Sequence, residues 1–291
     1  RRVPRTTRLD FDDNSSVWAV TAPVVDALPP LSGARSADVV IIGAGFTGLS
    51  TAYHLSTRFP ERKIVVLEAR RVGNGASGRN AGMVLNWVHG PELEDADRAR
   101  RLYSLTTDTM AWIADIAALH GFPLRFRRTG CLEAVTDARR ADAAERDAER
   151  LASFGLPIRF LRGAELESRM HASGVVGATF DSTAGRLHGL DLLHGLRGVL
   201  LARGVDIFEH SPVLEIKEGR EHVVTTPHGE VRAPALVLAT NGHTPALGYF
   251  RSGILPLLSH CIATEPLPLE RWRELGWGDV AGFSDDLDRI A

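Results

Sequence analysis

Only two cysteines, Cys131 and Cys261, occur in 291 residues. They lie far apart in sequence, which excludes a disulfide framework or a thiolate metal site and fits a reducing cytoplasm. Long apolar runs are missing as well. None approaches the roughly 18 residues of a membrane-spanning helix. Arg1-Arg2 is followed by polar sequence, which argues against an export signal and leaves the cytoplasm as the expected location. Charge of one sign is not in excess. The formal net charge is −2, so no long-range field favours nucleic acid. Arg1, Arg2, Arg5 and Arg8 are offset by Asp10, Asp12 and Asp13, as in a solvated arm. No repeat or low-complexity tract appears. The chain starts at Arg1 and stops at Ile290-Ala291 without a helix cap, so both ends read as cut.

What is present begins with apolar content of 44%, enough for one large domain or two intertwined ones. The most informative stretch is Gly43-Ala44-Gly45-Phe46-Thr47-Gly48. It follows the apolar run Val39-Val40-Ile41-Ile42 and opens a helical segment from Leu49 to Ser56. A second run, Lys63 to Leu67, ends at Glu68, 20 residues after Gly48. Strand, glycine turn, helix, strand and acid stand in the order a dinucleotide site requires. Gly43 permits the tight turn, Gly45 lets a pyrophosphate approach the backbone, and Gly48 allows the helix to pack against the strand. The helix N-terminus offers free N–H donors and positive dipole to phosphate. Glu68 can accept hydrogen bonds from a ribose diol. A purely structural glycine turn would leave Glu68 unexplained.

The remaining pattern divides the chain. Residues 1–37 read as an irregular arm containing Trp18 and Pro29-Pro30. Residues 38–90 and 156–251 are expected to form the nucleotide-binding domain, and 91–155 with 252–291 a second domain. Residues 92–121 have helical periodicity stopped by Gly121, and Leu124 to Thr136 reads as a strand. The charge-dense stretch 138–153 predicts an exposed helix laced with i,i+4 pairs. Residues 190–203 predict another helix, ended near Gly204. Val205–Glu209, Val213–Ile216, Glu221–Thr226 and Ala235–Ala239 read as strands, with a turn at His228-Gly229.

Four further segments stand out: Arg71 to Met83, rich in glycine and small residues; Gly185-Arg186-Leu187-His188-Gly189; Gly204 to Val213; and Leu238-Ala239-Thr240-Asn241-Gly242-His243-Thr244-Pro245. Together with the first motif they resemble FAD-dependent oxidoreductases of the D-amino-acid oxidase superfamily, over residues 15–268. Gly75-Ala76-Ser77-Gly78-Arg79-Asn80, the Trp-containing leader and Ala239-Thr240-Asn241-Gly242 look most like the γ-glutamylputrescine oxidoreductase branch. Ile207 to Val213 also looks like glycine oxidase. The resemblance implies an α/β fold, in which a Rossmann-like FAD-binding domain is interleaved with an α+β substrate domain carrying a mixed or antiparallel sheet.

Carried over by position, the resemblance implies that Gly43, Gly45, Phe46, Thr47 and Gly48 hold the FAD pyrophosphate. Glu68, with Ala69 and Arg70 behind it, binds the adenosine ribose. Gly75, Ala76, Ser77, Asn80 and Gly82 line the flavin end. Val213 presents backbone to the adenine, Thr240, Asn241 and Gly242 close over the cofactor, and Met83 lies near the substrate face of the ring. No histidine stands between Gly75 and Gly82, so attachment of FAD is expected to be non-covalent. Gly189 departs from the family's proline and should soften that turn. The family pattern continues well past the point matching Ala291, so a partner chain or a further C-terminal part is expected to complete the substrate domain.

The flavin would carry the redox chemistry, so the absence of a Ser–His–Asp signature does not exclude an enzyme. Arg79 either stabilises reduced flavin or a substrate anion, or caps its own loop. His260 either faces the substrate or packs in a strand. Met83 either contacts substrate or packs. These are the catalytic candidates, and no metal is expected. The leading expectation is a flavoenzyme that oxidises a primary or secondary amine or amino acid by hydride transfer to the flavin, with the imine then hydrolysed. A non-catalytic FAD-binding subunit is the alternative. A nicotinamide enzyme is disfavoured, because the Gly75–Gly82 loop and Ala239-Thr240-Asn241-Gly242 have no place in an ordinary nicotinamide domain.

Overall fold

The computed structural model describes residues 15–86, 94–257, 261, 263–274, 276 and 283–285. In chain order the first elements are α1 (Val17–Thr21), β1 (Gly33–Ser36), β2 (Val39–Ile42), α2 (Phe46–Arg58), β3 (Ile64–Leu67) and β4 (Met83–Val84). Then follow α3 (Ala96–His120), β5 (Phe126–Arg127), β6 (Cys131–Val135), α4 (Ala138–Ser153), β7 (Ile158–Leu161), α5 (Gly163–Glu167), β8 (Gly177–Asp181) and β9 (Gly185–Leu187). The last are α6 (Gly189–Ala202), β10 (Asp206–Phe208), β11 (Glu215–Lys217), β12 (His222–Thr225), β13 (Gly229–Ala233), β14 (Ala235–Leu238), α7 (Leu269–Glu274) and β15 (Phe283–Asp285).

The chain divides into two units, Arg1–Asn80 with Gly189–Ile262, and Ala81–His188 with Ala263–Ala291. In the first, β10, β3, β2 and β14 form a parallel sheet in that order. The uninterrupted apolar character of β2 and β3 follows from burial: Val40, Ile41, Val65, Val66 and Leu67 are all at most 2% exposed. The connection from β2 to β3 is α2, which buries Leu49, Ala52 and Tyr53. A second sheet, β1-β13-β12-β11, completes the unit, with β1 parallel to β13 and the rest antiparallel. Leu31, Val224 and Val231 lie in the core it shares with β2 and β3.

The second unit has a sheet in the order β15-β6-β8-β7, with β15 parallel to β6 and the other pairs antiparallel. It also has a small antiparallel sheet, β4-β9-β5. Helix α3 starts at the Asp95 cap, whose carboxylate accepts the Arg98 N–H, and ends at Gly121 with φ +67°. Helix α4 starts at Asp137, which accepts from Arg139 and Arg140, and buries Ala141, Ala148 and Leu151.

Three expectations are corrected here. Residues 156–188 belong to the second unit, because β7 pairs with β8 and β8 with β6; residues 81–86 also fall there, whereas 252–257 fall in the first unit. The arm is not irregular throughout, since residues 33–36 form β1 against β13. All four β1 residues are exposed, so only backbone pairing defines that strand and no apolar pattern announces it. The charges of α4 do more than pair within the helix: Arg162, beyond β7, reaches Asp142 at 2.8 Å and Glu145 at 2.9 Å. Among the described residues, no helix is long and apolar enough to cross a membrane.

Candidate nucleotide-binding site

The Gly43 turn is built by close backbone contact. Gly43 has φ +104°, its N–H donates to Leu67 O at 2.8 Å, and a Cβ there would stand 2.5 Å from Ala239 O. A Cβ on Gly48 would collide with Gly43 O. The first turn of α2 is therefore pressed onto the loop that precedes it, with the end of β14 against its back. Gly45 caps α2 without a side chain. Ser77 supplies the missing acceptor: its Oγ takes the Phe46 N–H at 3.0 Å, and a Cβ on Gly45 would meet that oxygen at 2.7 Å. Ser77, assigned by resemblance to the flavin end, thus stands at the start of α2, whose N–H groups and dipole would suit a phosphate.

Glu68 follows β3 and turns back to this turn. Its Oε2 accepts the Ala44 N–H at 2.9 Å, and its Oε1 accepts the Arg70 N–H at 3.0 Å. The Ala69 N–H also bonds the carboxylate, whose two oxygens still have acceptor capacity beyond these three bonds. Burial raises the carboxyl's pKa, the bonds from Ala44 and Arg70 oppose that rise, and the nearby Glu209 carboxylate adds to it.

The segment 73–80 closes the other side. Gly73 N–H donates to Ala44 O at 3.1 Å. Arg79 Nε donates to Asn74 O at 2.7 Å, the loop-capping arrangement. Asn80 Nδ2 donates to Ser77 O at 2.9 Å, while Trp18 Nε1 donates to Asn80 O at 2.7 Å. The leader tryptophan and the loop were linked only by resemblance, and here they share a hydrogen bond. A Cβ on Gly189 would meet Ser77 O at 2.7 Å. Glycine at that position permits close approach of the loop to the start of α6, a reason the softer-turn reading missed.

From the far strand, Thr240 Oγ1 and Thr244 Oγ1 are 2.8 Å apart, and Asn241 takes φ +46° at the start of a short 3-10 turn. Gly242 has Pro256 close by. Val213 lies half-buried in the loop between β10 and β11, against the core beneath the sheet. The structure thus brings Gly43, Ala44, Gly45, Phe46, Glu68, Ser77 and Thr240 around one turn. Thr47 is one residue further into α2, and Ala69, Gly75 and Ala76 lie in the two loops. Gly82 and Met83 belong to the second unit: Gly82 O accepts from Leu187, and Met83 pairs across β4 and β9 with Arg186. His260 lies outside the described residues. Among those described, no group of three or more His, Cys, Asp and Glu side chains is arranged for a metal.

Sequence reasoning missed Glu209 and Ser211. Glu209 is 1% exposed; its Oε1 accepts the Val72 N–H at 2.7 Å and its Oε2 the Leu28 N–H at 2.8 Å. Arg71 Nε stands 3.1 Å from Oε2, without the alignment of a hydrogen bond. Ser211 Oγ accepts the Leu31 N–H at 2.9 Å. An acid just past an apolar strand, facing the arm, was the available signal.

These residues fit an FAD. The glycine positions leave backbone accessible where a pyrophosphate would lie, and Glu68 has lone pairs to spare for ribose hydroxyls. The comparisons with known proteins agree. The family model "FAD dependent oxidoreductase" (DAO) matches residues 38–290. The probable oxidoreductase OrdL of Haemophilus influenzae is 34% identical over 252 residues, 82% of this chain and 58% of that protein. The γ-glutamylputrescine oxidoreductase of Escherichia coli is 28% identical over 239 residues, 80% of this chain and 55% of that protein. This chain therefore spans somewhat over half the length of these relatives. The crystal structure of glycine oxidase from Geobacillus kaustophilus superposes with a TM-score of 0.63 at 22% identity, covering 74% of this chain and 58% of that one, which shows the shared α/β fold. With the Gly43 turn, the Glu68 carboxylate and Thr240 in one cradle, and the family model matching residues 38–290, the protein belongs to the DAO family of FAD-dependent oxidoreductases.

Proposed function

We propose that this chain is the FAD-binding part of an enzyme that oxidises a primary or secondary amine or amino acid, with the imine product hydrolysed by water. Non-covalently bound FAD supplies the two-electron acceptor. The observation that carries the reading is the Glu68 carboxylate held beside the glycine turn by the Ala44 N–H, with acceptor capacity left for a ribose.

In this reading Gly43, Gly45, Phe46, Thr47 and Gly48 hold the pyrophosphate, with Ser77 setting the end of α2. Glu68, oriented by Ala69 and Arg70, accepts from the ribose hydroxyls. Val213 backs the adenine. Thr240, Asn241 and Gly242 close over the cofactor, and Gly75, Ala76, Asn80, Gly82 and Met83 serve the flavin end. Arg79 holds the loop shape through Asn74 O, and His260 remains a substrate-facing candidate. The amine class is supported by the name of the E. coli relative, whose likeness to this chain is 28% identity over 239 residues.

The span of little more than half of each relative supports a second reading, an FAD-binding subunit completed by another polypeptide. One experiment separates them. The full-length protein is purified, its flavin is released by acid to identify it as FAD, and amines are added without oxygen. γ-Glutamylated polyamines, glycine and sarcosine should be tried first. Bleaching of the flavin by an amine supports the enzyme. Bound FAD that no amine bleaches supports the subunit, and a nucleotide other than FAD refutes both.

A further inference from the structure

Glu209 is a buried acid between two segments: one oxygen holds the loop that follows Glu68 and the other the arm. After β3 the chain runs alongside the end of β10. Glu68 N–H donates to Phe208 O, His210 N–H to Arg70 O, and Ser211 N–H to Glu68 O, at 2.8 to 2.9 Å. This backbone pairing stops at Arg70. Arg71 turns its guanidinium to Val25 O in the arm, and the Val72 N–H then donates to Glu209 Oε1 at 2.7 Å. Gly73 then donates to Ala44 O in the glycine turn. Val72 is thus pinned between the two places where the loop touches the site: Arg70, whose N–H orients Glu68, and Gly73, which fastens to Ala44.

We propose that Glu209 is a positioning residue for FAD affinity, acting through the Arg70–Gly73 loop on the orientation of Glu68. The proposal rests on Glu68 serving the ribose. The pocket presents donors to both carboxylate oxygens. Two backbone N–H groups and the Arg71 guanidinium face it from different directions, so each oxygen meets a donor. Glutamine would set its own NH₂ against one of those N–H groups and leave a buried donor without an acceptor. If the Val72 peptide is released, the Arg70 N–H can drift from Glu68 Oε1, and the acid loses one of the bonds that aim it. The other half of Glu209 holds the arm through Leu28, which is the competing, purely structural explanation.

The test is a double-mutant cycle on FAD affinity in the full-length protein, read by flavin fluorescence on reconstitution of the apoprotein. Glu68→Ala alone should weaken binding; unchanged affinity overturns both the ribose reading and the proposal. Glu209→Gln should weaken FAD binding by about tenfold when Glu68 is present, the effect of one lost hydrogen bond to a charged acceptor. In the Glu68→Ala background the same change should cost less than about twofold, because nothing is left to orient. Equal losses in both backgrounds, with the ribose reading intact, overturn the proposal and assign Glu209 to the fold alone. Arg197→Ala loosens the arm at Asp26, whose carbonyl accepts from the Arg197 guanidinium at 2.7 Å, without removing a bond to Glu209 or Val72, so it should leave affinity within about twofold of wild type. A loss matching that of Glu209→Gln would show that the arm carries the effect and would likewise overturn the proposal. Should Glu209→Gln fail to fold, Glu209→Asp, which keeps the charge but withdraws it, carries the same cycle.

Discussion

At Gly43 and Gly48 of the first unit an added methyl would meet a backbone carbonyl oxygen, whereas at Gly121 and Gly155 of the second it would meet nothing within 4 Å. The latter two have φ +67° and +83° and follow the ends of α3 and α4. They serve helix termination, where only the backbone angle matters. The former pair serve contact. They let a helix start, a turn and a strand end approach more closely than any side chain allows, and in the proposed reading that close approach clears backbone for a pyrophosphate. The same residue type therefore marks close backbone approach at 43 and 48 and a stop signal at 121 and 155, and its surroundings decide which.

The largest effect should come from the contact glycines. Gly48→Ala must displace a backbone carbonyl that the sheet holds in place, and should cost more than about 3 kcal/mol with loss of bound flavin. Gly121→Ala carries only the left-handed strain of about 1–2 kcal/mol. Urea midpoints with flavin content measured on the same samples would check this, and equal losses for the two variants would erase the distinction.

A smaller loss is expected from the buried polar cluster of the second unit. Tyr103 OH stands 2.9 Å from Asp181 Oδ1 and 2.6 Å from Thr183 Oγ1, and the Asp181 carboxylate also accepts the Thr183 N–H. Tyr103→Phe should cost about 1–3 kcal/mol in urea unfolding, the effect of leaving a buried acceptor short of a donor. FAD affinity should stay within about twofold, since none of the hydrogen bonds given for this cluster goes to a residue assigned to the cofactor. A parallel loss of flavin would tie the cluster to cofactor binding and refute this expectation.

Alkaline pH should act on the same unit. Burial pushes the Cys131 thiol up to about 11 from an ordinary 9.0. The folded state then holds a proton that the unfolded chain releases, so this contribution is intact below pH 9 and declines as pH rises towards about 11. Cys131→Ser should flatten that decline in pH-dependent unfolding. An unchanged slope would show that Cys131 is not its source.

The smallest effect belongs to the exposed ion pairs. Arg162→Ala, which breaks contacts to Asp142 and Glu145, should cost less than about 1 kcal/mol, because solvent screens all three groups. A loss as large as that of Tyr103→Phe would make α4 docking electrostatic instead of apolar.

Much of the first unit was legible because its residues face requirements that few residue types meet. Only glycine suits the crowded positions 43 and 48, only an apolar run survives burial on both faces of a parallel sheet, and an acid ending β3 has a specific partner. Helices α3, α4 and α6 were legible from periodicity and caps. The strand β13 was not, because Gly229–Ala233 buries only Val231 and Ala233 and its partner β1 is wholly exposed. The unit boundary was misplaced because long-range pairing of β6, β7 and β8 leaves no mark in local composition. Glu209 escaped because a buried acid is recognised by the N–H groups around it, and those come from residues 137 and 181 positions away.

The most direct test of the central claim, that the Gly43 turn and Glu68 form the adenosine end of an FAD site, is the FAD dissociation constant of Glu68→Ala against wild type. Loss of a charged acceptor from a ribose hydroxyl should weaken binding by roughly 10- to 150-fold, with the variant still folded by circular dichroism. An affinity within about twofold of wild type would contradict the claim and place the ribose elsewhere.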